Sequence, residues 1–146
     1  MTAKDAFWDS SALNPLCVRE PASASCQSLS AQYKLVVWWA TMVEIHSAIA
    51  RLLRSGSLTA VEEREAINRL TVLQGKWSEI LPSEEVRELA RSLLRAHPLR
   101  AADSLQLAAA LIWCRRRPAG RVFISGDFRL CEAAALEGFT VIQLKP

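Results

Sequence analysis

The chain has 146 residues, 51% of them hydrophobic and 23% charged, which suits burial of a sizeable core and excludes a disordered chain. Eighteen basic against fifteen acidic residues leave a net charge of +3, too mild to identify a nucleic-acid binder by bulk electrostatics, so local arrangement must decide that question. The first residues carry Lys4 and Asp5 with no apolar signal segment, and the stretch Ala101 to Cys114 is interrupted by Asp103 and too short to span a bilayer, so a cytoplasmic chain is expected.

In chain order, Ala6-Phe7-Trp8 is a short apolar run that reaches Asp9, and the small residues Ser10, Ser11 and Ala12 lead from it into a helix. Asp9 is thereby placed at the carboxyl end of a strand, the edge at which ligands bind in open α/β sheets. The plainer reading of Asp9 is a helix N-cap. Asn14-Pro15 and Arg19-Glu20-Pro21 punctuate the next stretch and predict a short helical piece, then a second helix opening at Pro21. Leu35-Val36-Val37-Trp38-Trp39 reads as a strand buried on both faces, ended by Ala40 and Thr41.

Thr41-Met42-Val43-Glu44 has capping-box spacing, and the helix it opens continues through Ile45, Ala48, Ile49 and Leu52 to Arg51 and Arg54 in its last turns. His46 does not share a helical face with Glu44, so a joint metal site from the two is not expected, and His46 is read as partly buried or at a polar edge. Thr59-Ala60-Val61-Glu62 repeats the capping-box spacing and opens a charged amphipathic helix through about Leu73. Trp77 to Leu81 predicts a short strand, Pro82-Ser83-Glu84-Glu85 starts a helix, and His97-Pro98 ends it.

The segment from Leu99 to Leu111, rich in alanine, predicts a helix packed closely on a sheet, with Asp103 in its first turn. It is expected to finish at Arg115-Arg116-Arg117 before Pro118, where basic residues are first of all partners of the helix dipole. Arg121 to Ser125 is a further buried strand, Gly126-Asp127 turns it into a helix from Phe128 to Leu136, Gly138 stops that helix, and Thr140 to Leu144 is a last strand. The alternation predicts one α/β domain over residues 1–146, a parallel sheet of about five strands flanked by helices on both faces. Cys17, Cys26, Cys114 and Cys131 lack zinc-ligand spacing and are read as buried or free thiols.

Asp9, Glu44, Asp103 and Asp127 thus fall at equivalent places above one sheet edge, where clustered carboxylates suit a hard divalent cation and repel one another without it. With these residues the chain resembles the PIN-domain ribonucleases, and more narrowly the VapC-type toxins of VapBC toxin–antitoxin systems. The likeness rests on four stretches in order: Asp9-Ser10-Ser11-Ala12-Leu13, Val37 to Glu44, Arg100 to Ala108, and Phe123 to Leu130. The resemblance implies a PIN-like fold and an endoribonuclease using Mg²⁺ or Mn²⁺ held by Asp9, Glu44, Asp103 and Asp127, with Ser11 and Ser125 as supporting polar groups. It implies an RNA substrate and a VapB-type antitoxin as partners. Charge adds that the antitoxin presents a basic side chain, best an arginine, to the acidic groove. Arg129 is the first candidate for a backbone-phosphate contact. The apolar content and the pair Trp38 and Trp39 add the expectation of a homodimer.

Three rivals are weighed against this. A phosphorelay receiver is suggested by Asp9 after the first strand and Lys145-Pro146 after the last, but it needs an aspartate in the middle of the chain and none occurs between Asp9 and Asp103. A haloacid-dehalogenase-like phosphatase would want an aspartate where Ser11 stands. The third rival is a catalytically inactive PIN-like binding module, which metal-dependent activity would distinguish.

Overall fold

In the computed structural model, which describes residues 4–145, Phe7 pairs in register with Val36 on one side and Phe123 on the other. The strand that carries it, β1 (Lys4–Trp8), is followed by α1 (Ser10–Cys17), α2 (Ser23–Gln32), β2 (Tyr33–Trp38), α3 (Thr41–Arg54) and α4 (Ala60–Gln74). Then come β3 (Ser78–Ile80), α5 (Glu84–Ala96), α6 (Ala101–Trp113), β4 (Val122–Ser125), α7 (Phe128–Glu137) and β5 (Thr140–Gln143). All strand pairs are parallel and the order is β3-β2-β1-β4-β5. This differs from the 2-1-3-4-5 order of receiver-type sheets. Pro146, half of the pair that suggested a receiver edge, lies outside the described residues.

Side chains alternate across a strand, so an apolar run buries both faces only if helices cover both. Phe7, Val36, Trp38 and Phe123 pack with α5, α6 and α7 in one core. Ala6, Trp8, Leu35, Val37 and Ile124 pack with α1, α3 and α4 in the other. Phe7 stacks on Phe123 with ring centroids 5.5 Å apart. Ala108, Ala109 and Ala110 are fully buried, and their small side chains let α6 lie close on the sheet. The chain steps from β1 outward to β2 and β3, then crosses back to β4 beyond β1, and that reversal sends α5 and α6 to the opposite face. Its switch point lies between β1 and β4.

Several local expectations are corrected. Helix α1 runs through Pro15 to Cys17 instead of stopping at Asn14-Pro15, because the chain resumes helical bonding with Val18 N–H donating to the Asn14 carbonyl. Pro21 does not open α2. It sits at the second position of a turn closed by Ser23 N–H on the Glu20 carbonyl, a place its fixed φ suits, and the helix begins at Ser23. Thr41-Glu44 forms no capping box: Thr41 is already helical behind Ala40 and its buried hydroxyl is turned inward. The box at Thr59 and Glu62 forms reciprocally, with Thr59 extended at ψ 166 as a cap requires. Helix α6 ends at Trp113, so Arg115, Arg116 and Arg117 lie beyond it, and Arg115 and Arg116 adopt positive φ. His46 is exposed. Trp38 is buried in the core, whereas Trp39 lies past the end of β2 and is half exposed. All four cysteines are buried free thiols. Among the described residues, no helix is long and apolar enough to cross a membrane.

Candidate active site

The carboxyl end of β1 delivers Asp9 to the switch point, where its side chain is 3% exposed. Its backbone occupies the N-cap position of α1, but its carboxylate makes no capping bond. It accepts instead from the Ser11 hydroxyl and from the Ser125 hydroxyl, the latter at 2.9 Å. Each serine is fixed in turn by the loop after β4: Gly126 N–H donates to Ser11 Oγ at 2.9 Å and Asp127 N–H to Ser125 Oγ at 2.9 Å. Both predicted supporting serines therefore aim the Asp9 carboxylate and tie β1 to β4.

Glu44, in the first turn of α3, accepts from Gln106 Nε2 at 2.6 Å and from Ser10 Oγ at 3.4 Å. The same Gln106 amide reaches Thr41 Oγ1 at 2.9 Å. The side chains that spacing assigned to a local cap are thus engaged by α6. Asp103 stands in the first turn of α6, near the positive end of the helix dipole. Asp127 is a true N-cap: its Oδ1 accepts from Leu130 N–H at 2.9 Å and starts α7.

The four acids line one groove of about 480 Å³ together with Ser10, Ser11, Asn14 and Arg51. Burial raises the pKa of Asp9, and the charge of Asp127 adds to the rise. Glu44 is pushed up to about 7 by burial, with Asp9 and Asp103 contributing. Asp103 is pushed up to about 6 by burial and by the charges of Asp127 and Asp9, against an opposing pull from Arg100. The acids therefore sense one another across four helix starts, and the field around them favours any incoming positive charge. Among the described residues, no three acidic, histidine or cysteine side chains form a ready-made metal cage. The donors around the groove are nevertheless carboxylate and hydroxyl oxygens, the set that suits Mg²⁺ or Mn²⁺ in an open site.

Arg129 is exposed and does not line the groove, whereas Arg51 does. Arg51 was legible only as a dipole partner near the end of α3, yet it follows Glu44 by seven residues, two turns along one helical face. Gln106 carries its own signal, one amide side chain within the otherwise small and apolar stretch Leu105 to Ile112.

The sheet order, the helices on both faces and the acids at the switch point can be set against known structures. The fold is PIN-like. Solved structures sharing this PIN-like fold include a chain of a toxin–antitoxin complex from Klebsiella pneumoniae, 16% identical over 84% of this chain and 87% of that one, with a TM-score of 0.59. A chain of FitAcB from Neisseria gonorrhoeae is 15% identical over 94% and 96% of the two chains, with a TM-score of 0.64. A chain of VapBC2 from Rickettsia felis, solved bound to a promoter DNA fragment, is 7% identical over 96% and 98%, with a TM-score of 0.65. No family model matches the chain, and no curated protein matches it. At these identities the PIN-like likeness speaks for the fold, and what the groove does has to be argued from its residues.

Proposed function

We propose that the chain is a Mg²⁺- or Mn²⁺-dependent endoribonuclease acting as the toxin of a toxin–antitoxin pair. The observation that carries this reading is the gathering of Asp9, Glu44, Asp103 and Asp127 around one groove, in which burial and neighbouring charge oppose the ionised forms of Asp9, Glu44 and Asp103. Such crowding destabilises a protein unless a counter-charge enters. Asp9, Glu44 and Asp103 would hold the cation, and Asp127, with one oxygen engaged by Leu130 N–H, would flank it or hold a second. A divalent ion bound there supplies charge stabilisation at the scissile phosphate and activates water near neutral pH.

The chain's own groups orient the site. Ser11 and Ser125 fix the Asp9 carboxylate, and Gln106 fixes that of Glu44. Arg51, at the groove, becomes the first candidate for a phosphate contact on the RNA, with the exposed Arg129 second. The partner is an antitoxin that covers the groove, a reading supported by the toxin–antitoxin complexes among the proteins of like fold. The half-exposed Trp39, with exposed Val43 four residues on and exposed Leu81 beside Ile80, whose carbonyl accepts from Trp39 N–H, supports a homodimer formed through that face. Sedimentation of the purified chain should then give twice 16.2 kDa, and a single 16.2 kDa species at micromolar concentration would remove the dimer.

The absence of a preformed three-residue cage among the described residues favours one alternative, a PIN-like binding module without activity. End-labelled RNA incubated with Mn²⁺, Mg²⁺ or EDTA separates the two. The nuclease reading expects internal cleavage with either metal and none in EDTA. RNA left intact under all three conditions would favour the binding module.

A further inference from the structure

At the end of α6 farthest from the acidic groove, the chain leaves the helix through consecutive arginines. Arg116 N–H donates to the Leu111 carbonyl at 2.7 Å and Arg115 N–H to the Ile112 carbonyl at 3.0 Å, the paired closure of a Schellman motif. That closure needs a left-handed residue, normally glycine, and here Arg115 at φ 53 and Arg116 at φ 59 supply two in succession. In this conformation Cβ crowds the following carbonyl, so arginine is held here at a conformational cost that glycine would not incur.

The turn borders a cavity of about 470 Å³ lined by Trp113, Cys114, Arg115, Arg117 and Arg121. The Arg121 guanidinium lies 4.4 Å from the centroid of the Trp113 ring. Trp113 packs in turn against Phe7 of the central strand, 6.3 Å between centroids, so the stack is anchored in the core. Arg116 meets Glu85 at 3.9 Å in an exposed pair, whereas Arg115, Arg117 and Arg121 have no carboxylate within 4.0 Å among the described residues. The dipole of α6 explains a cation near its last turn. It does not explain three unpaired guanidinium groups around a cavity, or arginine at two positions suited to glycine.

We propose that this cavity is a second docking site, which takes phosphate groups of an RNA backbone on Arg115, Arg117 and Arg121. Planar guanidinium groups bind phosphate oxygens in pairs, and the Arg121 guanidinium over the Trp113 ring stands beside an aromatic face of the kind that unstacked bases use. That the anion is RNA rests on the ribonuclease reading above; that the site takes phosphate does not. The two ends of α6 are about 20 Å apart for 13 residues, so an RNA engaging both is folded or many nucleotides long.

The test is fluorescence anisotropy of the full chain with an end-labelled RNA stem-loop of roughly 20 nucleotides, in EDTA, across a salt series. No metal-dependent cleavage takes place in EDTA, so the result stands whether or not the acidic groove is a nuclease. The paired substitution Arg117→Gln and Arg121→Gln should weaken binding about tenfold and lower the slope of log affinity against log salt by about 1.4, two single-strand phosphate contacts. Arg117→Lys with Arg121→Lys should restore the slope and only part of the affinity, because charge returns without the planar fork. Arg115→Gly with Arg116→Gly should weaken binding while raising Tm, since the left-handed turn is relaxed. Parent affinity and slope in both the glutamine and glycine pairs would overturn the proposal. So would equal loss of duplex DNA or an acidic peptide in those variants.

Discussion

The side-chain amide of Gln106 donates to the Glu44 carboxylate at 2.6 Å while also reaching the Thr41 hydroxyl at 2.9 Å, which joins the first turns of α3 and α6 beneath the acidic groove. Its hydrogen bond opposes the rise in the Glu44 pKa that burial imposes. Gln106→Leu keeps the volume and removes the donor, leaving the buried Thr41 hydroxyl and the Glu44 carboxylate short of a partner. We expect a stability loss of about 1–3 kcal/mol, and cleavage reduced roughly 10–100-fold, as when ligand-orienting groups are removed. The acid limb of the pH–rate profile should move to higher pH. An unchanged profile beside a lowered Tm would reduce Gln106 to packing.

Asp9→Asn, Glu44→Gln and Asp103→Asn each remove a charge at nearly constant volume. Each is expected to lower RNA cleavage more than 100-fold, while the metal-free protein keeps its circular dichroism and gains Tm, because a like charge leaves a crowded site. Asp127→Asn should be equal or milder, since asparagine still caps α7. Parental cleavage by a folded Asp9→Asn variant would refute the metal-site reading.

The raised carboxylates also set a pH dependence. Glu44 at about 7 and Asp103 at about 6 hold protons in the folded chain that the unfolded chain releases near pH 4. Between about pH 4 and 7 the folded state therefore binds more protons, and stability falls as pH rises through that window. Thermal melts in EDTA should show the parent losing more Tm between pH 5 and pH 8 than Glu44→Gln or Asp103→Asn, a comparison that cancels groups elsewhere. Mn²⁺ should recover the difference at pH 8. Identical pH slopes for parent and variants would contradict the assignment.

For the antitoxin, an empty groove of four acids selects a guanidinium, which can meet two carboxylate oxygens at once. Co-expression with the neighbouring reading frame should yield a purified pair whose ribonuclease activity is blocked, and replacing each arginine of the partner's C-terminal segment with glutamine should identify one whose loss releases it. Recovery of this chain alone, equally active with or without the neighbour, would discard the partner.

Strands and helices were legible in the order of the amino acids alone. Ala6-Phe7-Trp8, Leu35 to Trp38 and Phe123-Ile124 declare buried parallel strands because apolar residues on both faces leave the chain few other solutions, and the box at Thr59 and Glu62 forms as spaced because all its atoms lie within one turn. The same reasoning placed Asp9, Glu44, Asp103 and Asp127 at one sheet edge, and they do line one groove. Only the folded chain settles the employment of side chains with more than one satisfactory partner. Thr41 and Glu44 match the spacing of a cap as well as Thr59 and Glu62 do, but an amide 62 residues beyond Glu44 takes both. Asp9 leaves the backbone N–H groups of α1 uncapped and adds to the nearby Ser11 hydroxyl a second hydroxyl 116 residues away. Local spacing fixes what a side chain can reach within a turn of backbone. The parallel crossovers bring distant donors to the same place, and a buried carboxylate goes to the donors that best replace the water it has lost.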